Sequence, residues 1–512
     1  MYINRNNRMK RSFFLKEFQL NFIMNKQTVR ILRILNKFEH HASTTLNNLS
    51  EVLNIPTRTI IKDIQEIKNI FNESIDLSTS PSGYHFNVSD DYRYKEIKQS
   101  LLQNEPLFIM IENIFFGHLY NVPELSDQLH LSESTLLRYI YKAQSFLSEF
   151  QIKLKTSPVD FHGKEINIRH FFHSFYSDSD ITPHTVFPTL EVKEITAKIT
   201  EKITLKECAP ITFESFNYHL YITLTRSFNG KTIDNLPDNL VILNEKKVLL
   251  YNEILKQVIL EYFDNDLSLE EKQYIYLLTL CKRSVFDEES EQIFQSLQPQ
   301  PKEIEEWTKQ FLELAFDTEQ EKSICSLYIR SFFFSTHLKY RLSPILLQNL
   351  DDITLYSKQK FPCEYQRNEA FIQHTLGETY ELTLKQIEGV SISLTLLNYT
   401  LSLVHARPSK QIAFLLEGNS YIRELIEATA INYLGTTHRV YFPNKHDTDI
   451  ERIKKIKFDV IVTNYSEYLI STLTGKTTLL FDTIPTAENW NELFTLIDPN
   501  ATKLYSLKDA RR

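Results

Sequence analysis

At 512 residues, 42% hydrophobic and 24% charged, the chain has globular composition and room for three to four domains of roughly 150 residues each. Its 9 glycines include no pair spaced for a GxGxxG or GxxxxGK[ST] loop, its 4 cysteines lie outside metal-ligand spacing, no H-E-x-x-H occurs and no apolar run reaches the roughly 18 residues of a membrane span, so phosphate-cradling loops, metals, other cofactors and membrane insertion are not expected. The net charge of −8 conceals +7 over residues 1–70 (12 Lys+Arg, 5 Asp+Glu), −4 over 71–175 (9 and 13) and −11 over the rest (36 and 47), a basic front on an acidic body that hints at nucleic acid.

Residues 1–24 carry Arg5, Arg8, Lys10, Arg11 and Lys16 around Phe13-Phe14-Leu15. The apolar centre is too short for a secretory signal, so this stretch reads as a loose basic arm, and so few cysteines suggest a reducing, cytoplasmic setting. From Leu46 the apolar residues fall at 46, 49, 53, 55, 60, 61 and 64. The first three share a helical face, and Asn54 sits at a turn that needs a left-handed residue. Pro56-Thr57 then starts a second helix, with Thr57 as its cap, running from about Arg58 to Phe71 and burying Ile60, Ile64, Ile67 and Phe71. This is a helix-turn-helix.

A shift of 76 residues repeats the pattern. Val122, Leu125, Ser126, Leu129, His130, Leu131, Leu136, Arg138 and Ile140 fall on Leu46, Leu49, Ser50, Leu53, Asn54, Ile55, Ile60, Lys62 and Ile64. An extended segment follows each copy. The first is Ile75 to Val88, broken by a turn at Ser80 to Gly83; the second is Ile152 to Ile168, with a turn ending at Gly163-Lys164. Two winged helix-turn-helix domains are expected, at 25–90 and 91–175. In such a unit the second helix enters the major groove of double-stranded DNA. The candidate contacts are Thr57, Arg58, Thr59 and Lys62, with Lys68 nearby, and Ser132, Ser134, Thr135, Arg138, Tyr139 and Lys142, with Glu133 as an opposing charge. Arg and Lys pair with guanine or phosphate, while Ser and Thr fix backbone position; Lys153, Lys155 and Lys164 extend the contact through the second wing.

Residues 176 to 405 read as helices. Phe216-Asn217-Tyr218-His219-Leu220 recurs as Phe334-Ser335-Thr336-His337-Leu338, and Leu267-Ser268-Leu269 recurs as Leu382-Thr383-Leu384, at offsets of 118 and 115. Two all-α domains of one kind, 176–290 and 291–405, are therefore expected. His219 and His337 read either as core histidines or as sites of phosphorylation. From 406 to 512 strands at 410–416, 439–442, 458–463 and 478–481 alternate with helices at 421–434, 448–456 and 488–497, which predicts a small open α/β sheet. Its first loop, Glu417 to Ser420, contains no cysteine, and Ser420 is expected to cap a helix there rather than to act as a nucleophile.

Together these segments resemble the Mga-type virulence regulators, which include the AtxA-like proteins. Leu46 to Ile64 is similar to the L-x-x-L-A-x-x-L-x-[VI]-S-x-R-T-I-x-x-D-I pattern of phosphotransferase-linked regulators, with Ser50 for Ala and Pro56 for Ser. The resemblance implies two phosphotransferase-regulation domains, with His219 and His337 as regulatory positions and a phosphocarrier protein as partner, and an enzyme IIB-like end. It implies a non-enzymatic, cytoplasmic, homodimeric activator of transcription. Leu278 and Ser393 stand where such domains carry a second histidine. The alternatives are a phosphotransferase component, which needs a cysteine or histidine at 413–420, and an RNA-binding antiterminator, which begins with a small β domain instead.

Overall fold

A computed structural model describes residues 17–41, 43–81, 83–179, 181–202, 213–234, 236, 245–296, 301–404, 410–435, 438–443, 458–466, 468 and 477–497. The chain forms two units, Met1–Asn398 and Tyr399–Arg512, and is mainly helical. The first opens with helices α1 (Glu17–Leu20) and α2 (Lys26–His40), strand β1 (Ser43–Thr44), helices α3 (Leu46–Leu53) and α4 (Thr57–Phe71), strands β2 (Ile75–Ser80) and β3 (Gly83–Val88), and helix α5 (Asp91–Ser100).

Amphipathic periodicity builds this segment. Ile31, Ile34, Leu35 and Phe38 of α2 meet Leu49 of α3 and Ile60, Ile64, Ile67 and Phe71 of α4 in one core, closed by Ile75, Leu77, Phe86 and Tyr94. Asn54 takes the left-handed conformation (φ 53°, ψ 45°) that ends α3. The Ser50 hydroxyl donates to the Ile55 carbonyl at 2.7 Å, and the Ile55 N–H returns to Ser50 O at 3.2 Å, so a small residue locks the turn. Thr57 does not cap α4. Pro56 holds the cap position with φ −58° and no side-chain bond, and Thr57 is the first helical residue. The strands form an antiparallel sheet in the order β1-β3-β2, with Ser80 opposite Gly83 at the hairpin.

Seventy-six residues on, the plan recurs in α6 (Pro106–Phe116), α7 (Val122–Gln128), α8 (Glu133–Leu147), β4 (Lys153–Thr156), β5 (Val159–His162) and α9 (Glu165–Tyr176). His130 repeats the left-handed turn of Asn54 (φ 54°), and Leu131 N–H repeats the bond of Ile55, to Ser126 O at 2.9 Å. The hairpin turns at Ser157-Pro158, earlier than the reading placed it. Residues 165–168 are helical, not extended: they open α9, which is buried around most of its circumference through Ile166, Ile168, Phe171, Phe172 and Phe175. A second correction concerns the start. Residues 1–16 lie outside the described residues, but 17–23 are no loose arm: Phe22 is fully buried, Phe18 and Phe22 pack edge-on against Phe171 and Phe175, and Gln19 Nε2 donates to Phe175 O at 3.1 Å.

Helices α10 (Leu190–Lys202), α11 (Phe213–Phe228), α12 (Glu245–Leu260), α13 (Leu269–Leu280), α14 (Glu288–Ser296), α15 (Lys302–Ala315), α16 (Glu319–Leu342), α17 (Asp351–Lys360), α18 (Pro362–Ile372) and α19 (Leu384–Val404) follow. The two F-x-x-H-L segments lie within α11 and α16, with Phe216, Leu220, Phe334 and Leu338 buried. Helix α19 corrects the statement about apolar runs, since its 21 residues are long and apolar enough to cross a membrane. Half of that window is buried in the protein, and its polar residues have internal partners: Ser391 donates to Ile387 O at 2.6 Å, and Thr395 Oγ1 accepts from Asn368 Nδ2 at 3.0 Å.

The second unit holds β6 (Gln411–Leu415), α20 (Ser420–Leu434), β7 (Arg439–Tyr441), β8 (Val460–Thr463), β9 (Thr478–Leu480) and α21 (Ala487–Ile497). The strands are parallel in the order β7-β6-β8-β9, with Ile412, Phe414, Val460 and Val462 packed against Ile426, Ala430, Trp490 and Leu493. The helix expected at 448–456 lies outside the described residues. Asn419, not Ser420, caps α20, accepting from Tyr421 N at 2.9 Å.

Candidate nucleic-acid interface

Helices α4 and α8 each bury one face and turn the other outward. On α4, Arg58 and Lys62 are exposed, while Thr57, Thr59 and Lys68 are half-buried. Asp63 points inward and is clamped by Arg30 of α2, whose Nε and Nη2 donate to its carboxylate at 2.6 and 2.9 Å. This pair fixes the rotation of α4 about its axis and so decides which side chains face out. On α8, Ser132, Ser134, Arg138 and Lys142 are exposed, and Thr135 and Tyr139 are half-buried. Glu133 is also exposed, at the first helical position.

The hydroxyls at this end already have work. Ser132 Oγ accepts from Thr135 N at 3.2 Å and donates to Thr135 Oγ1 at 2.8 Å, so Ser132 holds the helix start. The Arg138 guanidinium lies 5.6 Å from the Tyr139 ring centre, within cation–π range. None of Arg58, Lys62, Arg138 and Lys142 forms an ion pair with a described residue, so all four cations are available to an outside anion. Lys153, Lys155 and Lys164 are exposed too; Lys153 and Lys155 are on β4, while Lys164 precedes α9. Behind α8, the Glu105 carboxylate accepts the Met24 N–H at 2.7 Å. Burial pushes its pKa up to about 7, against the opposing pull of Met24, Lys142 and His184.

The predicted histidines lie elsewhere. His219 stacks on His173 of α9, with ring centres 4.2 Å apart and planes 13° off parallel. Burial, then His173, Lys282 and His170, hold its pKa well below the ordinary value, so the ring is neutral at pH 7. His337 Nδ1 lies 2.7 Å from the Tyr380 hydroxyl; burial and Arg341 lower its pKa. The structure therefore does not bring the two histidines together with the α4 and α8 faces.

Three features escaped the sequence reading. Ile61 and Tyr141 are exposed beside the cations of α4 and α8. The third is a buried ionic network. Arg169 of α9 bonds Glu271 of α13 through both terminal nitrogens and Glu165 through Nε at 3.1 Å. Arg226 of α11 bonds the same Glu165 through Nε and Nη2, each at 2.9 Å. Burial alone would lower the Arg169 pKa, but hydrogen bonding and attraction from Glu271, with Glu165, raise it. The sequence reading had singled out Leu278 on the same helix, but no local spacing pointed to Glu271 or its partners.

Comparison with known proteins now adds to this geometry. Residues 90–176 match the family described as the Mga helix-turn-helix domain. A protein of Streptococcus pneumoniae serotype 4 named as a trans-acting regulator is 26% identical over 158 residues, 30% of this chain and 32% of that protein. The capsule synthesis positive regulator AcpA of Bacillus anthracis is 27% identical over 173 residues, 33% of this chain and 35% of its own. The anthrax toxin expression trans-acting positive regulator of Bacillus anthracis is 21% identical over 228 residues, 43% of this chain and 47% of its own. The chain thus spans between a third and a half of the length of these relatives. The matched stretch runs from α5 to α9, so this part of the chain carries an Mga-type helix-turn-helix domain, and the chain is similar in sequence to these regulators.

Proposed function

We propose that the chain is a transcription regulator that binds duplex promoter DNA through two winged helix-turn-helix units, with α4 and α8 as the groove-reading helices. The observation that carries this reading is the repeated exposed face. Arg58 and Lys62 on α4, and Arg138 and Lys142 on α8, stand outward on helices whose turns and buried sides match at an offset of 76. The names of the relatives favour a positive regulator of virulence genes; action in the cytoplasm and as a homodimer is part of the same proposal. We read the chain as a regulator and not as an enzyme, in keeping with the names of these relatives. Phosphorylation of His219 or His337 by a phosphocarrier protein belongs to the same proposal. The all-α repeats 176–290 and 291–405, and the enzyme IIB-like α/β end, would then be the regulatory and assembly parts.

Phosphate contacts dominate such binding and make it salt-dependent. Gel-shift titration of the full chain on its upstream region should show affinity falling steeply between about 50 and 200 mM salt. The double variants Arg58→Ala with Lys62→Ala, and Arg138→Ala with Lys142→Ala, should each weaken binding at least tenfold and flatten the salt slope by about two. Unchanged affinity in both variants, with unchanged circular dichroism, rejects the assigned faces. Equal competition by hairpin RNA and duplex DNA would favour the antiterminator reading.

A further inference from the structure

We infer that Ile61 reads a thymine: its side chain meets the 5-methyl group of a thymine in the major groove, making the first unit selective for an A·T pair. This rests on the proposed docking of α4, and it adds a specificity that the cations do not supply.

The argument begins with helix geometry. Arg58, Ile61, Lys62 and Gln65 fall at i, i+3, i+4 and i+7, one face of α4, and all four are exposed. Groove-reading helices present side chains to base edges at this spacing. The opposite face already supplies the core through Ile60, Ile64 and Ile67, each no more than 3% exposed. Ile61 is 49% exposed and is not among the residues packed on that core. It is an apolar group set between two cations and an amide. Base edges in the major groove display hydrogen-bonding groups and one apolar group, the thymine methyl. A side chain without donors or acceptors has that methyl as its only complementary partner there. Arg58 and Lys62, on either side, supply the charge that brings the helix to the phosphates, and residues 1–70 carry a balance of +7.

The second unit is built differently at this place. The position 76 residues on is Leu137, which is half-buried, and the prominent group on α8 is instead Tyr141, 77% exposed. The two reading faces are therefore unlike, and the thymine preference is confined to the half-site under α4.

The test uses the full chain. Duplexes are selected from a randomised pool, and each thymine of the selected sequence is replaced in turn by deoxyuridine, which removes one methyl and keeps every hydrogen-bonding group. One replacement should weaken binding about fourfold, as expected for a methyl leaving an apolar contact. Ile61→Ala should bind the thymine and deoxyuridine duplexes equally, whereas Tyr141→Ala should keep the fourfold difference. If no replacement changes wild-type affinity, or if the loss persists undiminished in Ile61→Ala, the inference is overturned while the DNA-binding reading stands. If the chain retains no duplex from the pool, both fall together.

Discussion

Glu271→Gln tests whether the buried network couples the helix-turn-helix part to the helices that follow. In the native protein two guanidiniums, Arg169 and Arg226, face two carboxylates, Glu165 and Glu271. All but Glu165 are essentially out of solvent, and Glu165 is 11% exposed at its side chain. Removing one negative charge leaves two buried cations sharing Glu165. The glutamine oxygen can still accept from Ile233 N, now at 3.0 Å from Glu271 Oε1, so packing is conserved while one charge is not. Breaking a buried pair from one side costs about 3 to 5 kcal/mol. Native-state hydrogen exchange on the full chain should show α9 and α13 losing protection by that amount, with α20 and α21 unaffected. The control is Lys385→Ala, which breaks a half-exposed pair with Glu149 and should cost less than about 1 kcal/mol. A loss below about 1 kcal/mol in Glu271→Gln, equal to the control, would refute the reasoning.

Other outcomes follow from single positions. Gly389 lies within α19, and a Cβ there would stand 2.1 Å from Leu347 O; Gly389→Ala should lower the thermal midpoint by several degrees, and an unchanged melt would show that this approach can open freely. Glu105 has a native pKa of about 7 against 4.5 for the free group, so the folded state holds its proton more tightly; stability is full below about pH 4.5 and falls by about 3 kcal/mol as pH rises to 7 and beyond. Glu105→Gln should flatten that decline in urea titrations run from pH 5 to 8, and a wild-type slope in the variant would count against Glu105 as its source. Ser132→Ala removes the cap of α8 and should cost about 1 kcal/mol, read as faster amide exchange in the first turn of that helix.

The sequence made the repeated helix-turn-helix legible because its information is local. Leu49, Asn54, Ile60, Ile64 and Phe71 declare a face, a turn and a second face within 23 residues, and the copy at 76 removes the ambiguity of a single occurrence. The strands of the α/β end were legible for the same reason, as short apolar runs between turn residues. What escaped depends on contacts distant along the chain. Phe18 and Phe22 look like part of a basic arm until Phe171 and Phe175, some 150 residues away, enclose them. Arg169 and Glu271 are 102 residues apart, and nothing in either neighbourhood announces the other. The misplacement of the α4 and α20 caps has a different origin: Pro56-Thr57 and Asn419-Ser420 each offer adjacent residues for one role, and only backbone geometry separates them. At the candidate interface the cations were legible from charge, but the exposure of Ile61 was not, since the pattern counts every isoleucine as core.

The stacked rings of His173 and His219 carry a mechanical meaning. One ring belongs to α9, which closes the matched domain, and the other to α11, which bears the first F-x-x-H-L segment. The rings lie 4.2 Å apart, a range at which two like charges repel. Any event that leaves both imidazoles charged therefore prises the two helices apart and is felt at once on both sides of the contact, without a message having to travel between them.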